Sequence, residues 1–221
     1  MKVFHSLAVL VAVLALGGCS SVTVKDIQRP GVGTEVTARP SQLVVVPFTV
    51  DPQRVKENPM RKNPGQLGNE AQQLVTNYLA TELKKLGLPV SMATTGAPPR
   101  DAWIVSGQIT RLEEGNRLLR MSMGLGMGGT KMETAVQVHS GRGVCLHFNT
   151  TGGSNAMPGA VTTPVPFTGL PAALSGAKDG VTDDAARTAR MITAAIGQEL
   201  VQRGWLDRCP TKIKVAAQVA R

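Results

Sequence analysis

The sequence predicts an α+β domain of two layers, in which a mixed, mostly antiparallel sheet of four to six strands carries two main helices on one face. Two stretches with apolar residues at helical spacing predict the helices. Shorter stretches in which apolar and polar residues alternate predict most of the strands. The order is β-α-β, then a meander of strands, then a closing helix, which favours a sheet with both parallel and antiparallel pairs.

The first strand and the first helix begin this domain. Residues 43–46 are a continuous apolar run that ends at Pro47, which is typical of a strand buried on both faces. Residues 66–86 predict a helix that stops at Gly87 and cannot continue through Pro89. Its apolar stripe consists of Leu67, Ala71, Leu74, Val75, Tyr78, Leu79, Leu83 and Leu86.

The middle of the chain predicts strands, and its end predicts the second helix. Strands are expected near residues 88–92 and 102–112, followed by a hairpin over residues 130–139 and 144–148 with one apolar face. Residues 152–180 are rich in Gly, Pro, Ala and Thr without a period, which predicts a long loop. The closing helix is expected from an N-cap at Thr182 to a glycine stop at Gly204, with Asp183 and Asp184 favouring its positive start.

The N-terminus predicts export and a lipid anchor. Lys2, an apolar run over residues 7–16 and two glycines form a secretory signal that ends on Cys19. This ending resembles a bacterial lipoprotein signal, which implies cleavage of residues 1–18 and acylation of Cys19, as with palmitate. The alternatives are an ordinary signal peptide with an incidental cysteine, or a membrane span, which needs roughly 20 apolar residues.

The lipoprotein resemblance also implies a place for the mature chain. Ser20 stands where an aspartate commonly signals retention at the inner membrane, so the resemblance implies the periplasmic side of the outer membrane. Residues 19–40 predict a flexible tether, and residues 41–219 predict a single domain. The formal net charge of +9 then indicates anionic lipid headgroups or an acidic protein partner rather than nucleic acid, or a charge that serves only solubility.

The sequence shows no constellation of catalytic or metal-binding residues. Cys145 and Cys209 are a candidate disulfide in an oxidising compartment, with two separate thiols as the alternative. Cys145, His147 and His139 do not predict a metal site, because the two histidines are expected roughly 13 Å apart along the hairpin. The glycine run before Lys131 lacks the residue order and the following helix of a phosphate loop. We therefore expect no enzyme, cofactor or metal.

Three segments are the predicted contact surfaces. Residues 51–64 form a basic loop, and residues 152–180 form the long loop. Between them, residues 121–128 alternate large apolar side chains with serine and glycine, so as a strand they would carry one apolar and one nearly bare face. That apolar face either contacts a partner or packs beneath the domain's own helices. The basic residues of loop 51–64 are Arg54, Lys56, Arg61 and Lys62. The large apolar residues of the segment 121–128 are Met121, Met123, Leu125 and Met127.

Several motifs together resemble a bacterial family. They are Val44-Val45-Val46-Pro47-Phe48 before a helix that contains Gly68, Val105-Ser106-Gly107-Gln108-Ile109, residues 115–120, and the glycine-rich run 124–129. Over roughly residues 40–205 the chain resembles the bacterial lipoproteins that carry the domain of unknown function 4410. That family has no assigned catalytic residues, so the resemblance implies a non-enzymatic binding or assembly module.

Two alternative functions remain open beside this interpretation. One is a periplasmic binder of a small molecule or a cell-wall ligand, and the other is a subunit of an oligomeric export complex. The partners expected under these hypotheses are the membrane through the N-terminal lipid, an envelope protein, and further copies of this chain.

Overall fold

A computed structural model describes residues 22–29, 38–93, 97–115, 129–141, 143–153 and 180–210. These residues form one mixed sheet and two α-helices, so the predicted α+β class is confirmed, although the sheet has eight strands rather than four to six. The helices are α1 (Leu67–Leu83) and α2 (Gly180–Gln202). The strands are β1 (Thr23–Gln28), β2 (Leu43–Val45), β3 (Thr49–Val50), β4 (Val55–Lys56), β5 (Val90–Met92), β6 (Trp103–Glu113), β7 (Lys131–Ser140) and β8 (Gly143–Gly153).

The sheet has the order β1-β8-β7-β6-β2-β5, and the two-residue strands β3 and β4 both pair with β6. The long strands β6, β7 and β8 form an antiparallel meander, and β1 adds an antiparallel edge. On the other side, β2 pairs in parallel with both β5 and β6. Parallel neighbours need a crossover connection, and α1 supplies it between β2 and β5.

The core lies between the helices and one face of the sheet. The helices α1 and α2 pack side by side, and their apolar stripes meet the inward side chains of the strands. The largest fully buried side chains include Trp103, Phe48 and Phe148. Phe48 packs directly over Gly107 of β6, where a Cβ would lie only 2.4 Å from its ring. This position therefore requires glycine.

Strand β1 corrects the sequence analysis, because residues 23–28 belong to the predicted tether over residues 19–40. Val24 is fully buried, and Val22 packs against Gly152 of β8. The pairing of β1 with β8 has a register shift between Lys25 and Gln28, at which Asp26 has a φ of 55°. The strand was missed because only two alternating valines mark it and its partner lies more than a hundred residues away in sequence.

The helix ends agree with the sequence in part. The expected stop of α1 is confirmed, since Lys84–Leu86 form a 3-10 turn and Gly87 has a left-handed φ of 73°. The stop of α2 is likewise confirmed, because Gly204 has a φ of 72° and the Trp205 N–H donates to the Leu200 carbonyl. The predicted N-cap Thr182 is wrong, because α2 already includes Gly180 and Thr182 lies inside it. Within the described ranges, no helix combines the length and the apolar character that crossing a bilayer requires.

Candidate functional site

The candidate site lies at the end of the sheet where β6 stops and β7 starts. Four strands are in register at this end of the sheet. Glu113 of β6 pairs with both Lys56 of β4 and Lys131 of β7, and Lys131 pairs with Gly153, the last residue of β8. The chain therefore leaves the described structure at Gly115 and Gly153 on the same end. The basic loop 51–64 therefore lies at the same end of the sheet as these two points of the chain.

The start of α2 reaches the same end. The Thr130 hydroxyl, just before β7, donates a short hydrogen bond to the Asp184 carboxylate, which is fully buried in the first turns of α2. Arg187 contributes a second contact to Asp184 at 3.4 Å. The sequence predicts for Asp184 only a role at the positive helix start, and nothing near Thr130 in sequence indicates that the two side chains meet.

An open cleft of about 410 Å³ lies between these elements. Loop 51–64, α1, the residues after β6 and the start of α2 all contribute to its wall. The lining includes Asn58, Met60, Arg61, Lys62, Glu70, Leu74, Glu114 and Thr182. The cleft thus combines amide, charged and apolar groups around one concave surface.

Arg61 ties the loop to the rest of the domain. Its Nη1 lies 2.6 Å from the Glu114 Oε1, and its Nη2 makes a second, short contact with Glu70 of α1. Burial alone would lower the pKa of Arg61, but the hydrogen bonds and charges of Glu70 and Glu114 outweigh it and raise the pKa. The guanidinium is therefore permanently charged and committed to two carboxylates, and its main contribution is to the fold of the loop.

Glu57 fixes the other end of the loop by capping α1. Its carboxylate accepts hydrogen bonds from the Gly65 N–H at 2.6 Å and the Leu67 N–H at 2.9 Å. The hydrogen bond from Gly65 is the main cause of the lowered pKa of Glu57. Gln66, at the N-cap, makes no side-chain cap of its own. No local pattern marks this cap, because the carboxylate comes from ten residues upstream of Leu67.

The other predicted basic residues remain at the surface. Arg54 lies 4.0 Å from Asp51, and Lys56 lies 3.5 Å from Glu113. Lys62 is exposed and forms no ion pair with another described residue. The other candidate residues, Cys19, Met121, Met123, Leu125 and Met127, lie outside the described part of the chain, as do residues 154–179 of the long loop.

The predicted disulfide between Cys145 and Cys209 is wrong, because both thiols are free. The Cys145 thiol donates to the Val138 carbonyl at 3.2 Å, and the Cys209 thiol donates to the Ala194 carbonyl at 3.7 Å. Burial raises the pKa of Cys145 to about 11.

The two thiols contact different elements. Cys145 lies in β8 and bonds to the neighbouring strand β7, whereas Cys209 follows α2 and packs against Gly197 of that helix.

A β-bulge explains why Cys145 is not on the polar face of the hairpin as predicted. The register shifts between Val138 and His139, so that Val138 pairs with Leu146 and His139 pairs with Val144. Cys145 is the extra residue and is buried, as is its neighbour Leu146. Among the described residues, no group of three or more His, Cys, Asp and Glu side chains is placed to hold a metal ion.

Two solved structures similar to this chain are both of PelC from Paraburkholderia phytofirmans, described as dodecamers. One, of a PelC variant, has 16% sequence identity and a TM-score of 0.38. The other has 15% identity and a TM-score of 0.39. Each comparison covers 78% of this chain and 97% of the PelC chain. No curated protein matches this chain.

A family model matches more than half of the sequence. It is described as Domain of unknown function (DUF4410) and covers residues 43–169, from the start of β2 through the whole β6–β8 meander. This match agrees with the motifs found in the sequence. The chain belongs to the DUF4410 family.

Proposed function

We propose that this protein is an outer-membrane lipoprotein that faces the periplasm and acts as a non-enzymatic binding or assembly module. One observation carries the proposal. The basic loop 51–64, the exits of the chain at Gly115 and Gly153, and the buried Val22 all lie at one end of the sheet. A module with its contact segments gathered beside its anchor is suited to holding a partner at a membrane.

The anchor itself is supported by the sequence before β1. Leu16-Gly17-Gly18-Cys19 has the form of a lipoprotein processing site, and Val22 is the third residue after the cysteine. Val22 is already buried against Gly152. A lipid on Cys19 would therefore join the folded domain through only a few residues, rather than through the long tether first predicted.

The engagement of the charged groups supports binding rather than catalysis. Arg61 pairs with Glu70 and Glu114, Glu57 caps α1, and Asp184 accepts from Thr130. Each of these groups has a structural partner within the fold. These contacts hold the elements around the cleft in place, as expected for partly buried polar groups, which are normally hydrogen-bonded.

The lipid anchor is tested by Cys19→Ala, with Cys209→Ser as the matched control. We expect the wild-type chain and the Cys209→Ser variant to incorporate palmitate in metabolic labelling and to be recovered in the membrane fraction. We expect Cys19→Ala to lose the label and to retain residues 1–18, because cleavage depends on the acylated cysteine. Palmitate labelling that persists in Cys19→Ala would exclude Cys19 as the lipidated residue.

The partner surface is tested by crosslinking membranes that contain a Met121→Asn/Met123→Asn/Met127→Asn variant. The control is Met92→Asn, on the exposed edge strand β5. We expect a crosslinked partner to be recovered with wild type and with the control, and lost with the triple variant. Equal recovery with all three proteins would remove the Met segment from the proposed surface.

The cleft favours a second candidate function, a periplasmic binder of a small molecule or cell-wall ligand. Its volume of about 410 Å³ lies within the range of small-molecule sites, and both polar and apolar side chains converge on it. Leu74→Trp would fill the cleft from α1. If soluble cell-wall fragments bind there, calorimetry will show binding to the wild-type protein and loss of binding in this variant; absence of binding to wild type argues for the first function.

A further inference from the structure

We propose that the outer rim of loop 51–64, formed by Arg54, Lys56, Met60 and Lys62, rests on the phospholipid leaflet that holds the anchor. This inference rests on the proposed lipidation of Cys19. It goes further by naming the face of the domain that meets the membrane and the headgroup charge that this face recognises. We call these four residues the loop rim.

The sheet places the loop rim level with the N-terminal strand. Thr23 of β1 pairs with Thr151, Thr151 pairs with Glu133, and Glu133 pairs with Arg111 of β6. Strand β4 pairs with the last residues of β6, so Lys56 lies one short step further along the same end. Four strand spacings separate β1 from β4, a lateral distance of about 19 Å.

The anchor leaves little freedom to turn this end away from the bilayer. Cys19 lies three positions before Val22, and an extended chain of that length spans at most about 11 Å. Strand β1 is fixed to the core by Val24, and Arg29 after it binds Glu199 of α2 at 2.8 Å. Because the segment between Cys19 and β1 is short and β1 is held by the core, this end of the sheet stays near the membrane.

The side chains of the loop rim suit the headgroup region. Met60 is 73% exposed, and Lys56 and Arg54 are 77% and 68% exposed. Their carboxylate neighbours lie deeper, with Glu113 only 24% exposed. Long cationic side chains together with one apolar side chain can reach phosphate groups and the upper acyl region at the same time.

The charge pairs within the loop do not prevent this contact. Ion pairs between exposed side chains are weak, so Arg54 and Lys56 can exchange Asp51 and Glu113 for lipid phosphates. Lys62 is exposed at the cleft edge and makes no ion pair within the described part of the chain. The outward face of the loop is therefore positive, which fits a leaflet that contains anionic phospholipids.

The position of Met60 can be measured in the intact, lipidated protein. In a Cys209→Ser background, Met60→Cys or Met92→Cys is labelled with an environment-sensitive dye, and the protein is reconstituted into vesicles of phosphatidylcholine and phosphatidylglycerol. Met92 is the matched control, because it is also an exposed methionine but pairs level with Val105, about 26 Å from the Glu113 end of β6. We expect headgroup spin labels to quench the dye at position 60 but not at position 92.

The charge recognition has its own test without the anchor. In a chain that begins at Ser20 and so lacks both the signal and the lipidated cysteine, Arg54→Gln/Lys56→Gln/Lys62→Gln is compared with Lys84→Gln/Lys85→Gln/Arg100→Gln, which removes equal charge near the opposite end of the sheet. We expect the loop-rim variant to bind phosphatidylglycerol vesicles about a hundred-fold less tightly, from about five-fold per charge. The control should lose much less.

The outcomes separate this inference from the proposed anchor. If the intact protein does not float with vesicles in a density gradient, the proposed anchor is wrong, and the inference that rests on it is wrong as well. If it floats but positions 60 and 92 are quenched equally, or the two charge variants bind alike, only the inference is overturned. A photoreactive residue at position 60 that links to a protein rather than to lipid in cells would also overturn it.

Discussion

Two arginine–carboxylate pairs, one at the cleft and one at the end of α2, lie in very different surroundings. At the cleft, Arg61 of the loop pairs with Glu70 of α1, whose side chain is 46% exposed. At the end of α2, Glu199 is only 3% exposed and accepts hydrogen bonds at 2.8 Å from both Arg29 and Arg203. The same chemistry therefore serves an open cleft in one place and a joint with a nearly buried carboxylate in the other.

Aromatic rings complete the joint at the end of α2. The guanidinium of Arg203 lies 5.8 Å and 5.4 Å from the ring centroids of Trp103 and Trp205, and the two rings contact each other edge to face. Arginine over an aromatic face gains most where water is excluded. We infer that the end of α2 stabilises the domain, whereas the cleft is shaped for contact, and the following predictions test that division.

The largest expected effect is the slow reaction of Cys145, which belongs to the stabilising end. Its pKa of about 11, against 9.0 for a free thiol, leaves about a hundred-fold less thiolate at neutral pH. In a maleimide or iodoacetamide time course followed by mass spectrometry, Cys209 should react first and Cys145 only after unfolding. A protein mass two daltons below that of the chain with free thiols, together with no alkylation before reduction, would show that the two cysteines form a disulfide after all.

The next effect is the loss of stability on removing the buried carboxylate of the joint. We expect Glu199→Gln to lower the free energy of unfolding by about 2 to 3 kcal/mol, because it leaves Arg203 and Arg29 facing a neutral amide in a partly buried site. Urea unfolding of the purified protein measures this change.

Glu70→Gln is the matched control at the cleft end. Its carboxylate is half exposed, so we expect a loss of less than about 1 kcal/mol. If the two variants lose the same stability, the proposed division between the cleft and the end of α2 is wrong.

A smaller effect is expected at the α1 cap. Glu57→Gln keeps one acceptor oxygen but removes the charge that faces the helix start, so we expect a loss of about 1 kcal/mol. Glu82→Gln is the control, because Glu82 lies near the other end of the same helix in an exposed pair with Lys85. Chemical denaturation that ranks Glu82→Gln as the more damaging change would contradict the cap.

The Glu57 carboxylate also makes the stability of the α1 cap depend on pH. The pKa of Glu57 is lower in the folded protein than its ordinary value of 4.5, so the unfolded chain binds more protons in acid. The contribution of Glu57 to stability is therefore present above about pH 4.5 and is lost as pH falls through the folded pKa. Glu57→Gln should flatten the pH dependence of the unfolding free energy in that window.

The sequence predicted the elements whose information is local. The stripe that includes Leu67 and Leu79 and the stops at Gly87 and Gly204 are periodic or adjacent signals, and they are found where expected. The fold class follows from those elements and their order. Strand β1 was missed because its pairing partner lies far away in sequence and carries no complementary pattern.

The candidate site was less predictable, for a related physical reason. The basic loop was visible as a run of positive charge, but the partners of Arg61 come from α1 and from the residue after β6. Only the fold shows that Arg61 is paired with two carboxylates while Arg54 and Lys56 stay exposed. Likewise, a one-residue bulge turned Cys145 from the polar face into the core, and strict alternation cannot show an extra residue.

The smallest expected effect sharpens the assignment of the loop rim. Lys56→Gln removes one side of an exposed pair with Glu113, and we expect it to change the free energy of unfolding by less than about 0.5 kcal/mol. Glu113 keeps Arg111 as its hydrogen-bond donor, and that hydrogen bond is the main cause of its lowered pKa. Urea unfolding should therefore hardly distinguish the variant from wild type. A loss above 1 kcal/mol would mean that Lys56 serves the fold, and its positive charge would then not be free to act at a membrane.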